Sequence, residues 1–87
     1  LFRISKDNRT KTWVVARTDL PHEHHAHFKD LNGCFKLIHL FEKGIKPNHP
    51  YLKEAMLRIT TPEEWGGFRE ENKKDRFFKK QKHMLKR

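Results

Sequence analysis

The apolar residues of this chain recur with two different spacings, and the change between them constrains the fold more than any other feature. In the first eighteen residues they alternate: Phe2 and Ile4 share one side of "LFRIS", and Trp13 and Val15 share one side of "TWVVART". A period of two is typical of β-strands with one buried face. The intervening "KDNRTK" contains an Asp-Asn pair, which tolerates turn geometry. The pattern predicts an antiparallel β-hairpin.

From residue 31 onward the apolar residues follow a helical period instead. The segment "DLNGCFKLIHLFEKG" predicts a first helix, which Asp30 or Asn32 caps and which ends at Gly44. Its expected stripe is Leu31, Phe35, Ile38 and Phe41 or Glu42, widened by Leu37 and Leu40. A competing interpretation makes the Asn-Gly pair a hairpin turn followed by a strand. We prefer the helix because "CFKLIHLF" contains a single β-branched residue, Ile38.

Two further helices are expected after this one. The segment "IKPNHP" predicts a linker held by two prolines, after which Asn48 caps a second helix, "YLKEAMLRI". In "TTPEEW", Thr61 as N-cap, Pro62 at the first helical position and Glu64 three residues after the cap form a capping box. A third helix therefore begins there. The expected buried residues of these two helices are Leu52, Ala55, Met56, Ile59, Trp65 and Phe68.

These elements predict an α+β fold in which an N-terminal antiparallel hairpin packs against two or three helices. The segment "HHAHF" predicts either a third short strand or a loop that leads into the first helix. Beyond Phe68 the chain turns polar, and the next apolar residues are out of helical phase with the third helix. They are Phe77, Phe78, Met84 and Leu85. We therefore expect a compact domain in residues 1–72 and a basic, amphipathic helical extension in residues 73–87.

The charge is concentrated in that extension. The chain has a formal net charge of +9, and residues 73–87 hold eight of its 20 Lys and Arg residues but one of its 11 Asp and Glu residues. A phosphate backbone binds such a segment because each contact releases condensed counterions. We therefore expect DNA or RNA as the partner. The predicted phosphate-contacting residues are Lys73, Lys74, Arg76, Lys79, Lys80, Lys82, Lys86 and Arg87.

The hairpin predicts a second basic surface. Arg3, Arg9, Lys11 and Arg17 are expected on its solvent side beside Trp13, in the manner of the β-ribbons that contact DNA. An alternative hypothesis assigns the extension to protein binding instead. Its apolar stripe would then form a homodimer interface or dock on a protein partner.

The segment "PHEHHAH" places four histidines within six residues. In an extended chain His22 and His24 would share one face, and His25 and His27 the other. A zinc site needs three or four ligands, so a distant side chain would have to complete it. The segment does not match the zinc-protease pattern H-E-x-x-H. We expect a binding protein without a cofactor, and the alternative is a metal-binding protein or a His-dependent ribonuclease.

The remaining features concern the compartment and the source. Cys34 is the only cysteine, so no intrachain disulfide forms, and we expect a reducing, cytoplasmic environment. No apolar run approaches the ~20 residues of a transmembrane helix, and "LFRISK" has no long apolar segment of the kind found in signal peptides. Short, lysine-rich chains without an enzyme motif are typical of accessory proteins of phages and mobile elements, and we expect that origin.

Overall fold

Five short strands and three helices make up the described part of the chain. The computed structural model describes residues 1–21 and 23–72. The strands are β1 (Phe2–Asp7), β2 (Thr12–Arg17), β3 (His25–Phe28), β4 (Ile45–Lys46) and β5 (Arg69–Glu70). The helices are α1 (Leu31–Lys43), α2 (Pro50–Ile59) and α3 (Pro62–Gly67). A three-stranded antiparallel sheet packs against helices, so the α+β prediction is confirmed.

The main sheet has the strand order β1-β2-β3, with both neighbouring pairs antiparallel. The hairpin is confirmed, and most of "HHAHF" forms the third strand rather than a loop. Ile4, Val15 and Ala26 lie opposite one another in a row across the three strands. Val15 and Ala26 are buried on this face, and the residues next to each of them along its strand point to the other face. The sheet therefore has one face in the core and one outside it.

Helix α1 has the predicted ends, and its buried face matches the predicted stripe at Leu37 and Leu40 but not at Phe35. The Asp30 side chain accepts a hydrogen bond from the Gly33 backbone N–H, and Gly44 closes the helix in the left-handed region with φ of 69°. Its buried residues are Cys34, Leu37 and Leu40. Phe35 is 54% exposed, so its assignment to the buried stripe is wrong. Phe35 lies two residues from Leu37, which is about 200° around the helix axis, and the sheet packs against the Leu37 side.

Cys34 is a small core residue, as packing on a buried helix face requires. It is completely buried, and this burial raises the pKa of its thiol. The thiol therefore stays neutral and packs with the apolar side chains around it. The core that surrounds it combines the sheet, α1, β4 and α2. Its buried apolar members are Val15, Ala26, Phe28, Cys34, Leu37, Leu40, Ile45, Ala55, Met56 and Ile59.

The segment predicted to be a linker contains a strand. Strand β4 pairs in parallel with β5, so that Ile45 lies opposite Arg69 in a second, two-stranded sheet. The backbone N–H of Asn48 donates to the Glu71 carboxylate at 2.7 Å, and Asn48 does not cap α2. His49 is the N-cap instead, and its Nδ1 accepts a hydrogen bond from the Tyr51 backbone N–H at 3.2 Å. The sequence pattern does not predict this pairing because each strand is only two residues long.

The capping box that begins α3 is confirmed. The Thr61 side chain accepts from the Glu64 backbone N–H, and the Glu64 carboxylate accepts from the Thr61 backbone N–H. Trp65 and Phe68 are half-buried against the core, and Phe68 lies edge-on to the ring of Phe41. The buried face expected for α2 is also found at Ala55, Met56 and Ile59, with Leu52 partly buried beside it.

The basic helical extension, residues 73–87, lies outside the described residues, and the boundary at residue 72 stays a prediction. Within the described ranges, no helix has the length and the apolar run that crossing a bilayer requires.

Candidate nucleic-acid interface

The face of the main sheet opposite the core carries small and polar side chains. Cross-strand pairing arranges them in two rows of three, one running Arg3–Ala16–His25 and the other Ser5–Val14–His27. Arg3 and Ser5 are exposed, and the other four side chains are half-buried. Helices α1 and α2 pack on the opposite face, against Val15, Ala26 and Phe28. The outer face thus has low relief at its centre, a guanidinium at one edge and two imidazoles at the other.

The two imidazoles on this face are in contact. The rings of His25 and His27 have centroids 5.2 Å apart and meet edge to face at 70°. The Nδ1 atom of His27 is hydrogen-bonded to the Thr12 hydroxyl at 2.8 Å, and Thr12 is in turn bonded to Thr10. This chain of hydroxyl groups fixes the orientation of the His27 ring. The prediction that His25 and His27 share a face is confirmed.

The other histidines of "PHEHHAH" do not join this pair in the described structure. The Nδ1 of His24 lies 3.2 Å from the carbonyl oxygen of Arg58, and it must carry the proton because a carbonyl can only accept. His24 therefore ties the loop before β3 to the end of α2. His22 lies outside the described residues. Among the residues that are described, no group of three or more His, Cys, Asp and Glu side chains could hold a metal ion.

Two of the predicted cations lie in the hairpin turn at the end of the sheet. Arg9 and Lys11 are both exposed there. Asp7 organises the turn: its carboxylate accepts from the Arg9 backbone N–H at 3.0 Å, and its carbonyl accepts from the Lys11 N–H at 2.8 Å. The hydrogen bond from Arg9 lowers the pKa of the Asp7 carboxyl. Lys11 adopts a left-handed backbone with φ of 60°. Hydrogen bonds therefore hold the backbone of the turn, and the Arg9 and Lys11 side chains are exposed on it.

Arg17 does not lie on the solvent side, and this part of the prediction is wrong. Its side chain is 3% exposed, and all five of its N–H groups are engaged. Nε and Nη2 donate to the two oxygens of Asp19, each at 2.8 Å, and Nη1 and Nη2 donate to the Glu64 carboxylate at 2.9 and 3.1 Å. Nη1 also donates to the Ile59 carbonyl at 2.8 Å. No donor is left for a phosphate.

The surroundings of Arg17 show why it is held inside. The guanidinium carbon lies 5.0 Å from the ring centroid of Phe41 and 5.8 Å from that of Phe2. Its hydrogen bonds lower the pKa of both carboxyls that it contacts, Asp19 and Glu64. Arg17 thereby joins β2 to α3 and to the end of α2. Arg17 therefore stabilises the fold and does not bind phosphate.

Trp13 also lies on the inner face, where the alternation with Val15 places it, and not on the solvent side of the hairpin. It is half-buried, packs against the core and pairs with Phe28 across the sheet. The Lys6 ammonium lies 4.8 Å from the centroid of its ring. Of the predicted hairpin cations, Arg3, Arg9 and Lys11 are exposed. The eight predicted phosphate-contacting residues of the extension, from Lys73 to Arg87, lie outside the described residues.

Similarity to other proteins supplies no function for this chain. Comparison with family models, with curated protein sequences and with solved structures gave no significant match, so its function is inferred from its own residues.

Proposed function

We propose that this chain is a small nucleic-acid-binding protein, an accessory protein of a phage or mobile element. Its basic C-terminal residues and the outer face of its sheet contact the phosphate backbone. The observation that carries the proposal is the segregation of charge. Of the formal net charge of +9, residues 73–87 contribute eight cations against one carboxylate. A segment of this kind attracts polyanions over distances comparable to the Debye length and gains affinity by counterion release.

The outer face of the sheet supports the same proposal. Three strands spaced about 4.8 Å apart give this face a width of roughly 10 Å between the outer backbones. Val14 and Ala16 lie at its centre, and because their side chains are short the surface there is nearly flat. Arg3 lies at one edge of the face, and the exposed turn cations Arg9 and Lys11 extend it at one end. The face is therefore shaped and charged to lie along a nucleic acid.

The salt dependence of binding tests the contribution of the extension. We expect the full-length chain to lose affinity for a labelled oligonucleotide steeply as salt rises, and the chain stopped at Asn72 to lose most of this dependence. The variant Lys79→Gln/Lys80→Gln flattens the slope of log affinity against log salt by up to about 1.8, since each phosphate contact contributes about 0.9. Fluorescence anisotropy over a salt series measures both effects.

The matched control removes the same charge from helices of the domain. Lys43 and Lys53 are exposed on α1 and α2, and Lys43→Gln/Lys53→Gln leaves the slope unchanged if the contact surface is the one proposed. Circular dichroism melts of every variant show whether the fold is retained. Equal slopes for the two double variants would contradict the role of the extension. Salt-insensitive binding of the full-length chain would contradict phosphate contact altogether.

Substitution of its exposed cations tests the sheet face. Arg3→Gln/Arg9→Gln removes one charge from the edge of the face and one from the turn that extends it. We expect the slope of log affinity against log salt to flatten by up to about 1.8, since each phosphate contact contributes about 0.9. Lys43→Gln/Lys53→Gln again serves as the control. A slope equal to that of the parent would exclude this face from the contact surface.

The two alternative functions lead to different results in the same samples. A protein-interaction module would self-associate in sedimentation experiments and bind oligonucleotides weakly at every salt concentration. A His-dependent ribonuclease would shorten a labelled RNA, and His27→Gln would stop the cleavage. The described residues bring two imidazoles together on the sheet, one fewer than the three ligands usual in a catalytic zinc site.

A further inference from the structure

A cleft lies between the start of α1 and the start of α2, away from the outer face of the sheet. Its volume is about 310 Å³, at the lower end of the ~300–1,000 Å³ typical of small-molecule sites. Among the residues that line it are Phe28, Lys29, Asn32, Lys36, His49 and Tyr51. This set combines aromatic rings, cations and side-chain donors within one small concavity.

Tyr51 supplies an exposed ring that is already fixed in place. Its side chain is 50% exposed. The ring meets that of Phe28 edge to face, with centroids 5.4 Å apart at 85°, and its hydroxyl donates to the carbonyl oxygen of His27. A ring held in this way loses little conformational entropy when a planar group stacks on it. Tyr51 is therefore a preorganised stacking platform at the side of the cleft.

The close approach of α1 to Phe28 shapes the wall of the cleft. A Cβ atom added at Gly33 would lie 2.4 Å from Cδ1 of Phe28 and 2.8 Å from its Cγ. Such distances are shorter than any side chain tolerates, so only glycine lets the first turn of α1 pack this tightly on the ring. Phe28 is 5% exposed and is held against Tyr51 as a result.

The polar lining favours an anion bearing hydrogen-bond acceptors. Lys29 and Lys36 contribute two positive charges. The one carboxylate, that of Asp30, is engaged as the cap of α1 through the Gly33 N–H at 3.1 Å. The Nδ1 of His49 accepts from the Tyr51 backbone N–H, so its ring proton is on Nε2, which acts as a donor. Asn32 adds an exposed amide, a group that bonds well to base edges.

We infer that this cleft takes one unpaired nucleotide of a single-stranded nucleic acid. The base stacks on Tyr51, and its phosphate lies beside Lys29 and Lys36. A base within a duplex must first break its pairing and stacking, whereas an unpaired base enters without this cost. The inference rests on the proposed nucleic-acid binding and adds a substrate class to it: single strands are preferred over duplexes.

Tyrosine NMR tests the inference on the unmodified full-length protein. Tyr51 is the only tyrosine in the chain, so its ring signals report this cleft alone. We expect adenosine monophosphate and a single-stranded oligonucleotide to shift these signals upfield, because a stacked base shields the ring. Inorganic phosphate leaves them in place. Ring signals that stay unchanged at saturating oligonucleotide, or that move equally with phosphate alone, would overturn the inference.

A matched pair of aromatic substitutions tests it through affinity. Tyr51→Ala weakens single-strand binding roughly 5- to 150-fold, the range expected for loss of one stacked ring, and changes duplex binding less than about twofold. Phe35 is similarly exposed but does not line the cleft, and Phe35→Ala leaves both affinities unchanged. Tyr51→Phe keeps the ring and restores binding. Salt-sensitive binding with equal single-strand and duplex affinities would contradict this inference but not the proposed function.

Discussion

Replacing Leu37 with Ala lowers the free energy of unfolding by about 3–4 kcal/mol, whereas replacing Phe35 with Ala changes it by less than about 0.5 kcal/mol. Leu37 is completely buried at the centre of the inner face of α1, and Phe35 is 54% exposed. Truncating Leu37 removes buried methyl groups and leaves a cavity, and both effects destabilise the fold. At Phe35 the small loss of contact is offset by the better helix propensity of alanine.

Urea denaturation followed by circular dichroism measures this pair of changes. A loss of 3–4 kcal/mol is a large fraction of the stability of a domain this small, so the Leu37→Ala midpoint is expected close to the low end of the denaturant range. The comparison decides which face of α1 is buried. A larger loss from Phe35→Ala would mean that the side of α1 that carries Phe35 is the buried one, and it would contradict the packing of Leu37 against the sheet.

Replacing Arg17 with Ala lowers the free energy of unfolding by about 3 kcal/mol, whereas Arg3→Ala on the neighbouring strand changes it by less than about 0.5 kcal/mol. Removing one partner from a buried ion pair costs about 3–5 kcal/mol. We expect the lower end because the carboxylates of Asp19 and Glu64 keep 43% and 31% of their side-chain exposure and can regain water. The Ile59 carbonyl loses its donor in the same change.

Thermal melts of the two arginine variants provide the comparison, and oligonucleotide binding at a temperature where both are folded separates stability from function. We expect Arg17→Ala to bind like the parent once folded, since its guanidinium has no donor left for a phosphate. A weakened affinity of the folded Arg17→Ala protein, with no loss of stability, would reverse the assignment of this residue to the fold.

The same ion pairs make stability depend on pH in the acid range. Arg17 lowers the pKa of Glu64 and Asp19 in the folded state, below the ordinary values of 4.5 and 3.8. Their contribution is therefore fully present above those values and is lost as the pH falls through the lowered folded values. Glu64→Gln keeps the capping box, because glutamine can still accept from Thr61, but reduces this acid dependence. Asp7, whose pKa is also lowered, contributes equally to parent and variant and cancels in the difference.

Local pattern was sufficient where neighbouring residues decide the structure. The alternation around Trp13 and Val15 predicted the hairpin, and the Thr61–Glu64 spacing predicted the cap of α3. Asp30 and Gly44 were placed correctly at the ends of α1. Each of these features depends on hydrogen bonds or periodicity within a few residues of the chain. Such features can be predicted from the sequence because they do not depend on distant residues.

Local pattern failed where a distant partner decides the outcome. Charge alone groups Arg17 with the exposed cations, although the period of two puts it on the face of Trp13 and Val15. Glu64, 47 residues away, and the rings of Phe2 and Phe41 supply the contacts that hold it inside. Asn48 has the composition of an N-cap, but its backbone N–H is bound by Glu71, and His49 takes the role. The cleft beside Tyr51 was not predicted either, because its walls come from two segments that are separate in the chain.

The sequence by itself determined that this protein is a basic α+β chain whose cations are concentrated in its last fifteen residues, because composition and periodicity are properties of the chain alone. Only the tertiary structure decided which side chains face water. Burial depends on which surfaces pack together. The packing of α1 and α2 on one side of the sheet buried Leu37 and Arg17 and left Phe35 exposed. The same packing left Arg3, His25 and His27 on the outer face and formed the cleft beside Tyr51.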